Sequence, residues 1–327
     1  MRIVDGRGND ALARVFVAVL DDGSLIEFAE SVQPPVPQDQ KWVLIVSTLK
    51  GCPVSCPICD AGGDYRGRLS SDDILGQIDF LIRRRYPEGS VPVPKLKIQF
   101  ARMGEPALND AVLDVLRQLP SRYPAPGLMP CISTIAPSGR VRFFEELMAI
   151  KEALYGHGRF QMQFSVHTTC ETARRRLIPT RTWSFAEIAA YGRRFFAPGD
   201  RKVTLNFAPA RGLPLDPARL VNIFPPEVFA IKLTPINPTY ASARAGIAGL
   251  LDPRDLPGCE REAERFRQAG FETILSIGEL DENGIGSNCG MRVMALESRT
   301  HGTAEISPSR GTQPRRRVRA PHTPRRK

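Results

Sequence analysis

Two short apolar, strand-like runs occupy residues 15–20 and 24–28, and the polar Asp21-Asp22-Gly23 lies between them. Two such runs across a tight Asp-Gly turn predict a β-hairpin. Pro34-Pro35-Val36-Pro37 then predicts a stiff connector. From Trp42 onward, short β-branched, apolar runs recur over residues 42–47, 96–100, 129–134, 160–166, 203–207 and 228–234. Between them the period lengthens. Ser70-Ser71-Asp72-Asp73 opens one helical pattern, with Ile74, Ile78 and Leu81 on one face, and residues 111–119 and 142–154 carry others. Strands alternating with helices predict a parallel α/β sheet or barrel. Six such units, with a further strand near residues 273–276, predict a partial (β/α)6 barrel preceded by a small β-hairpin. No internal repeat is visible.

Composition changes this picture little, except at one end. A length of 327 residues suits one barrel-like domain better than two. A hydrophobic fraction of 42% with 24% charged residues is ordinary for a soluble globular protein. No run approaches the roughly 18 apolar residues of a membrane-spanning helix. The net charge of +10 is concentrated in residues 310–327, which hold seven arginines, Lys327 and no acid. Without those eight the balance is 37 basic residues against 35 acidic, so a broad basic nucleic-acid footprint on the folded part is not indicated. The proline-rich tail is expected to be disordered, either touching phosphate or remaining a solvated arm. The expected organisation is a hairpin and connector over residues 1–37, a barrel core over 38–298 and a basic tail over 299–327. Free thiols without an export signal predict a reducing cytoplasm.

Candidate chemistry begins at Gly51-Cys52-Pro53-Val54-Ser55-Cys56-Pro57-Ile58-Cys59, where a strand pattern gives way to a loop. Three thiolates within eight residues can wrap one soft metal centre. A zinc site would want a fourth ligand, and none follows at zinc-finger spacing. Disulfides fit poorly with seven cysteines, and simple burial fits poorly with the surrounding Pro and Gly. Iron–sulfur clusters are usually held by four thiolates, so three would leave one iron open to a small molecule. This loop resembles the signature of the radical S-adenosylmethionine (SAM) superfamily, in which that iron chelates SAM.

In such barrels the chemistry gathers where the strands end. The later exits read Ala101-Arg102-Met103-Gly104-Glu105-Pro106 with Asn109, Ser133-Thr134, Ser165-Val166-His167 and Thr234-Pro235-Ile236-Asn237-Pro238, followed by Asn288-Cys289-Gly290. Taken alone, each is more often a turn or a satisfied strand end than a site. Together, over about residues 10–295, they resemble the radical SAM methyltransferases that methylate an adenine carbon of large-subunit ribosomal RNA, or in some members a transfer-RNA adenine. That resemblance implies a [4Fe–4S] cluster on Cys52, Cys56 and Cys59. It implies SAM contacts from Gly104, Glu105, Ser133, Ser165, Val166, His167 and Asn237. It also implies a methyl-carrying Cys289, an active-site Glu30 if two residues are inserted in the connector, and a reductant protein of flavodoxin or ferredoxin type.

The match breaks at Ile45, where the family has a second cysteine that resolves the protein–substrate adduct. Cys131 and Cys170 are the nearby replacements, although each reads equally as a structural residue. The family's helical RNA-gripping region has no counterpart before the hairpin, and Ile58 stands where an aromatic is usual. RNA bound with help from the tail is therefore one expectation. A radical SAM enzyme acting on a small molecule or peptide by hydrogen abstraction is the second, and a non-catalytic cluster- or RNA-binding module is the third.

Overall fold

The computed structural model describes residues 1–32, 36–278, 285 and 288–300. Ten strands form one sheet in the order β1-β2-β3-β4-β7-β8-β9-β10-β11-β12. Its parallel part comprises β4 (Trp42–Val46), β7 (Leu96–Phe100), β8 (Leu128–Thr134), β9 (Gln161–Ser165), β10 (Val203–Phe207), β11 (Phe229–Leu233) and β12 (Thr273–Leu275). These are the six predicted units and the further strand. The N-terminal strands β1 (Arg2–Gly8), β2 (Ala13–Val19) and β3 (Leu25–Ser31) run antiparallel and join that sheet through β3 and β4. The sequence pattern gave no sign of β1. Its residues are exposed or half-buried along its length, as on an edge strand that packs only one side.

A second sheet pairs β5 (Leu49–Cys52) with β6 (Gly63–Arg68), so the cysteine loop is a hairpin tip. The longer helices are α1 (Ser71–Arg85), α2 (Ala111–Arg122), α3 (Val141–Leu154), α5 (Phe185–Phe195) and α8 (Leu256–Gln268). Short ones are α4 (Glu171–Arg174), α6 (Pro217–Val221) and α7 (Tyr240–Arg244), and α9 (Met291–Thr300) closes the described chain. Capping boxes start α1 at Ser70 with Asp73 and α5 at Ser184 with Glu187, satisfying the first free N–H groups of each helix.

Strand parity divides the barrel into two chemistries. Leu96, Ile98 and Phe100 on β7 and Phe229, Ile231 and Leu233 on β11 join the apolar core shared with the helices. The intervening residues face inward: Lys97 and Gln99 on β7, Cys131 and Ser133 on β8, Gln163 and Ser165 on β9, Asn206 on β10 and Lys232 on β11. A polar inner wall suits a polar ligand. Residues 301–327, which include most of the expected disordered tail, lie outside the described residues. No helix among the described residues is long and apolar enough to cross a membrane.

Candidate active site

Cys52 ends β5, while Cys56 and Cys59 lie in the turn before β6. Ser55 takes a left-handed φ of 54°, and its hydroxyl accepts from Gly63 N–H at 3.2 Å, which folds the loop back on itself. Val54, Ile135, Leu177 and Ile178 bury this loop, with Cys52, Cys56 and Ile58 packed against them. Asp60 ties it to the exit of β11 by accepting from the N–H groups of Tyr240 (3.0 Å) and Ala241 (2.8 Å), and Thr239 donates to the Ile58 carbonyl at 3.2 Å.

All three thiols are free of disulfides. Burial pushes Cys52 up to about 11 and Cys56 to about 12, and Cys59 well above the usual thiol value. Cys56 also feels Cys52, and Cys59 feels Cys289, Cys56 and Cys52. A thiolate set at this place is therefore unfavourable unless a cation binds it. Three soft sulfurs carried on one short hairpin tip, with no fourth protein ligand among the described residues, fit an iron–sulfur group.

The exit of β7 supplies the next wall. Gly104 has φ of +98°, and a Cβ there would stand 2.5 Å from the Leu49 side chain, so only glycine fits. Glu105 is buried, accepting from Ala107 N–H (3.0 Å), Ile135 N–H (2.9 Å) and the Thr134 hydroxyl. Burial pushes its carboxyl up to about 7 despite those donors. Asn109 donates to the carbonyls of Thr48 and Leu69, both at 2.8 Å, and so joins the exits of β4 and β7.

On β8 and β9, Ser133 and Ser165 are half-buried on the inner face. Arg174 donates to the carbonyls of Ser165 and Ile135, both at 2.8 Å, locking the exits of these two strands. Val166 turns its side chain into the core. His167 has φ of 66°, and its Nδ1 accepts from Ala208 N–H at 3.0 Å, leaving the proton to Nε2. Burial, then the charge of Arg174, lowers its pKa to about 3, so the ring is neutral. Asn237 is exposed beyond β11, with its carbonyl accepting from Thr239 N–H at 2.8 Å.

Cys289 lies against the exit of β7 and beside the cluster loop. Its thiol donates to the Ala101 carbonyl at 3.2 Å, just past β7, and its charge is felt by Cys59. Gly290, with φ of +86°, presses so closely on the cluster loop that a Cβ would meet Ala61 N at 2.1 Å. Glu27 holds this turn from β3, accepting from Gly290 N–H, from Arg292 N–H at 3.0 Å and from Val293 N–H at 3.2 Å. Arg102, 2.8 Å from Glu27 and as deeply buried, balances its charge. Burial pushes the Cys289 thiol up, opposed by Arg102.

Glu30, the active-site acid that the resemblance implies, has its carboxylate near the start of β4. Its carboxylate is taken by Arg84, Arg85 (2.7 Å) and the Trp42 indole N–H (3.0 Å), at the start of β4 and the end of α1. Because β3 runs antiparallel to β4, three residues along it span about 10 Å and separate the two ends of the barrel. Glu27 is the acid at the cysteine end, where the Ser47 hydroxyl donates to its carbonyl.

No family model matches the chain. A probable dual-specificity RNA methyltransferase RlmN from Thermus thermophilus is 30% identical over 273 residues, covering 80% of this chain and 70% of the relative. The dual-specificity RNA methyltransferase RlmN of Marinobacter nauticus is 25% identical over 297 residues, covering 88% and 74%. In fold, a crystal structure of a radical SAM methyltransferase from Sphaerobacter thermophilus matches with a TM-score of 0.68 at 20% identity, covering 88% of this chain and 80% of that one. The cysteine hairpin at the end of a partial barrel, set among relatives of this kind, defines a radical SAM methyltransferase. Its particular lineage follows from the Thermus relative: the chain belongs to the RlmN family.

Proposed function

We propose that the protein methylates an sp² carbon of RNA, in the manner of an adenine C2 or C8 methylase, with Cys289 carrying the methyl group. One observation carries this reading: the Cys289 turn is clamped between the cluster loop and Glu27, with its thiol against the exit of β7. Cys52, Cys56 and Cys59 would hold a [4Fe–4S] cluster with one iron left for SAM. Such a cluster, fed by a flavodoxin- or ferredoxin-type donor, supplies the electron for reductive SAM cleavage.

The chain's own residues do the rest. Gly104 gives the ligand a close main-chain wall, and Glu105 offers a carboxylate to the methionyl ammonium. Ser133, Ser165 and neutral His167 present hydrogen-bonding groups from the next two strands, Val166 contributes main chain, and Asn237 forms the far rim. Glu27 positions the Cys289 turn without touching the reacting atoms. Burial favours the protonated form of the Cys289 thiol. The relatives named as RNA methyltransferases support RNA as the substrate class.

Ile45 favours a second reading, in which a small molecule or peptide is acted on by hydrogen abstraction, since the family's resolving thiol is missing there. Anaerobic reconstitution followed by protein mass spectrometry after SAM alone separates methyl transfer through Cys289 from hydrogen abstraction. The expected result is one added CH₂ on Cys289, lost in Cys289→Ala while reductive SAM cleavage persists. Methyl transfer to RNA by Cys289→Ala would place the carrier elsewhere.

A further inference from the structure

Arg174 closes the short helix α4 and, although an arginine, is only 3% exposed. Its Nη1 donates to the Thr182 hydroxyl and to the Trp183 carbonyl, both at 3.0 Å. Its Nη2 donates to the carbonyls of Ile135 and Ser165, both at 2.8 Å. All four acceptors are uncharged oxygens, and Nε is buried with no partner among the described residues. Glu171 and Glu105 feel its charge, yet among the described residues neither forms an ion pair with it. A guanidinium buried on these terms is a poor way to stabilise a fold, because apolar side chains fill such space at less cost. Its planar fork does what an apolar side chain cannot. It fixes the spacing of three chain segments, at the exits of β8 and β9 and just ahead of α5.

The segment past β8 is also the one that grips Glu105. Ile135 N–H donates to Glu105 Oε2 at 2.9 Å, and the carbonyl of the same residue is an Arg174 acceptor. The Thr134 hydroxyl donates to Glu105 Oε1 and accepts from Ala136 N–H at 2.9 Å. Ala136 has a left-handed φ of 55°, which is costly for a residue with a Cβ and persists where surrounding bonds impose it. Those bonds are the Arg174 contact on Ile135 and a 2.8 Å donation from Trp183 N–H to the Ala136 carbonyl. Trp183 is in turn held by Arg174 through its own carbonyl. Two chains of contact therefore lead from one guanidinium to the two donors that aim the Glu105 carboxylate. The charge of Arg174 also favours the ionised form of Glu105, against the burial that pushes that carboxyl up to about 7.

We propose that Arg174 is a positioning residue for SAM: it holds the turn Thr134-Ile135-Ala136 so that Glu105 meets the methionyl ammonium in one fixed orientation. This inference rests on the reading of Glu105 as a SAM contact. On this assignment Arg174 touches neither the ligand nor the reacting atoms, and its effect on binding passes through Glu105.

Equilibrium binding of SAM to the unreduced, cluster-reconstituted, full-length protein reads this effect, in a double-mutant cycle of Arg174→Lys and Glu105→Gln. Lysine keeps the charge but lacks the planar fork that spans four acceptors. Arg174→Lys is expected to bind SAM about tenfold more weakly, with iron and sulfide content unchanged. At saturating SAM it should release 5′-deoxyadenosine at close to the wild-type rate, a loss in KM and not in kcat. The double variant is expected to bind SAM no more weakly than Glu105→Gln alone, because the two residues act as one unit. Losses that add, or wild-type affinity in Arg174→Lys, would overturn the proposal. If Arg174→Lys takes up no cluster, Arg174→Gln replaces it in the cycle. Failure of both to fold or load would make the arginine purely structural and would overturn the proposal as well. Wild-type affinity in Glu105→Gln would instead remove Glu105 from the SAM site, and this inference with it.

Discussion

Glu27 and Gly290 are 263 positions apart in sequence and share a hydrogen bond, which fastens the last described helix to the third strand of the chain. The same carboxylate accepts from Arg292 N–H and Val293 N–H and faces Arg102. One side chain thus caps α9, balances a buried guanidinium and holds the Cys289 turn.

Replacing Glu27 should therefore cost both stability and methyl transfer. Glu27→Ala removes the carboxylate paired with buried Arg102, a loss of about 3–5 kcal/mol. Denaturant unfolding would show this as a lower midpoint. Glu27→Gln keeps one acceptor oxygen, so it should lose less stability yet still lower methyl incorporation at Cys289. Glu30→Gln should leave methyl incorporation unchanged in folded protein, because its carboxylate serves Arg84 and Arg85 at the other end of β3.

Gly290→Ala tests how tightly the turn is seated. Its left-handed φ of +86° and the 2.1 Å approach to Ala61 N leave no room for a methyl group. The turn must move away from the cluster loop. Methylation of Cys289 should fall at least tenfold, whereas 5′-deoxyadenosine release from SAM should survive. Undiminished methylation would show that the seating is not required.

His167 gives a pH signature of stability. Its folded pKa of about 3 lies below the ordinary 6.5, so the unfolded chain binds more protons between those values. Stability from this group is full above about 6.5 and is lost as pH falls toward 3. His167→Asn suits the left-handed φ and keeps an acceptor for Ala208 N–H. In that variant, unfolding curves between pH 4 and pH 7 should depend less on pH than those of wild type.

Much of the barrel was legible because its strands are short β-branched runs separated by helical patterns. Trp42–Val46, Leu96–Phe100 and Val203–Phe207 fall where the apolar period predicts them. The β5–β6 pair was not, since its residues Leu49–Cys52 and Gly63–Arg68 carry neither alternation nor β-branched side chains. The cysteine spacing alone announced the cluster loop. Glu27 was missed because two acids share β3, and only the antiparallel register shows which one reaches the strand exits. Arg102 and Arg174 were missed because an arginine buried at a strand exit looks in sequence like any surface arginine. The inner wall left a readable trace, Lys97 and Gln99 alternating with Leu96, Ile98 and Phe100.

The basic residues 310–327 offer a separate test of the RNA proposal. If all eight cations contact single-stranded RNA, the log–log slope of affinity against salt should be about −6, from roughly −0.7 per contact. Removing residues 310–327 should then flatten that slope and weaken binding, while SAM cleavage without RNA stays the same. Unchanged affinity and slope would take the tail out of substrate binding.

Gln99 on β7 pairs with Ile45 on β4 to one side and with Cys131 on β8 to the other. Positions 45 and 131 are thus mirror neighbours of the strand over whose end the Cys289 thiol rests. If Cys131 resolves the adduct in the proposed reaction, Cys131→Ser should stall the cycle after the first methyl addition, and Ile45→Cys in that background should restart it. On that reading the reducing sulfur would sit two strands away from position 45, on the far side of β7.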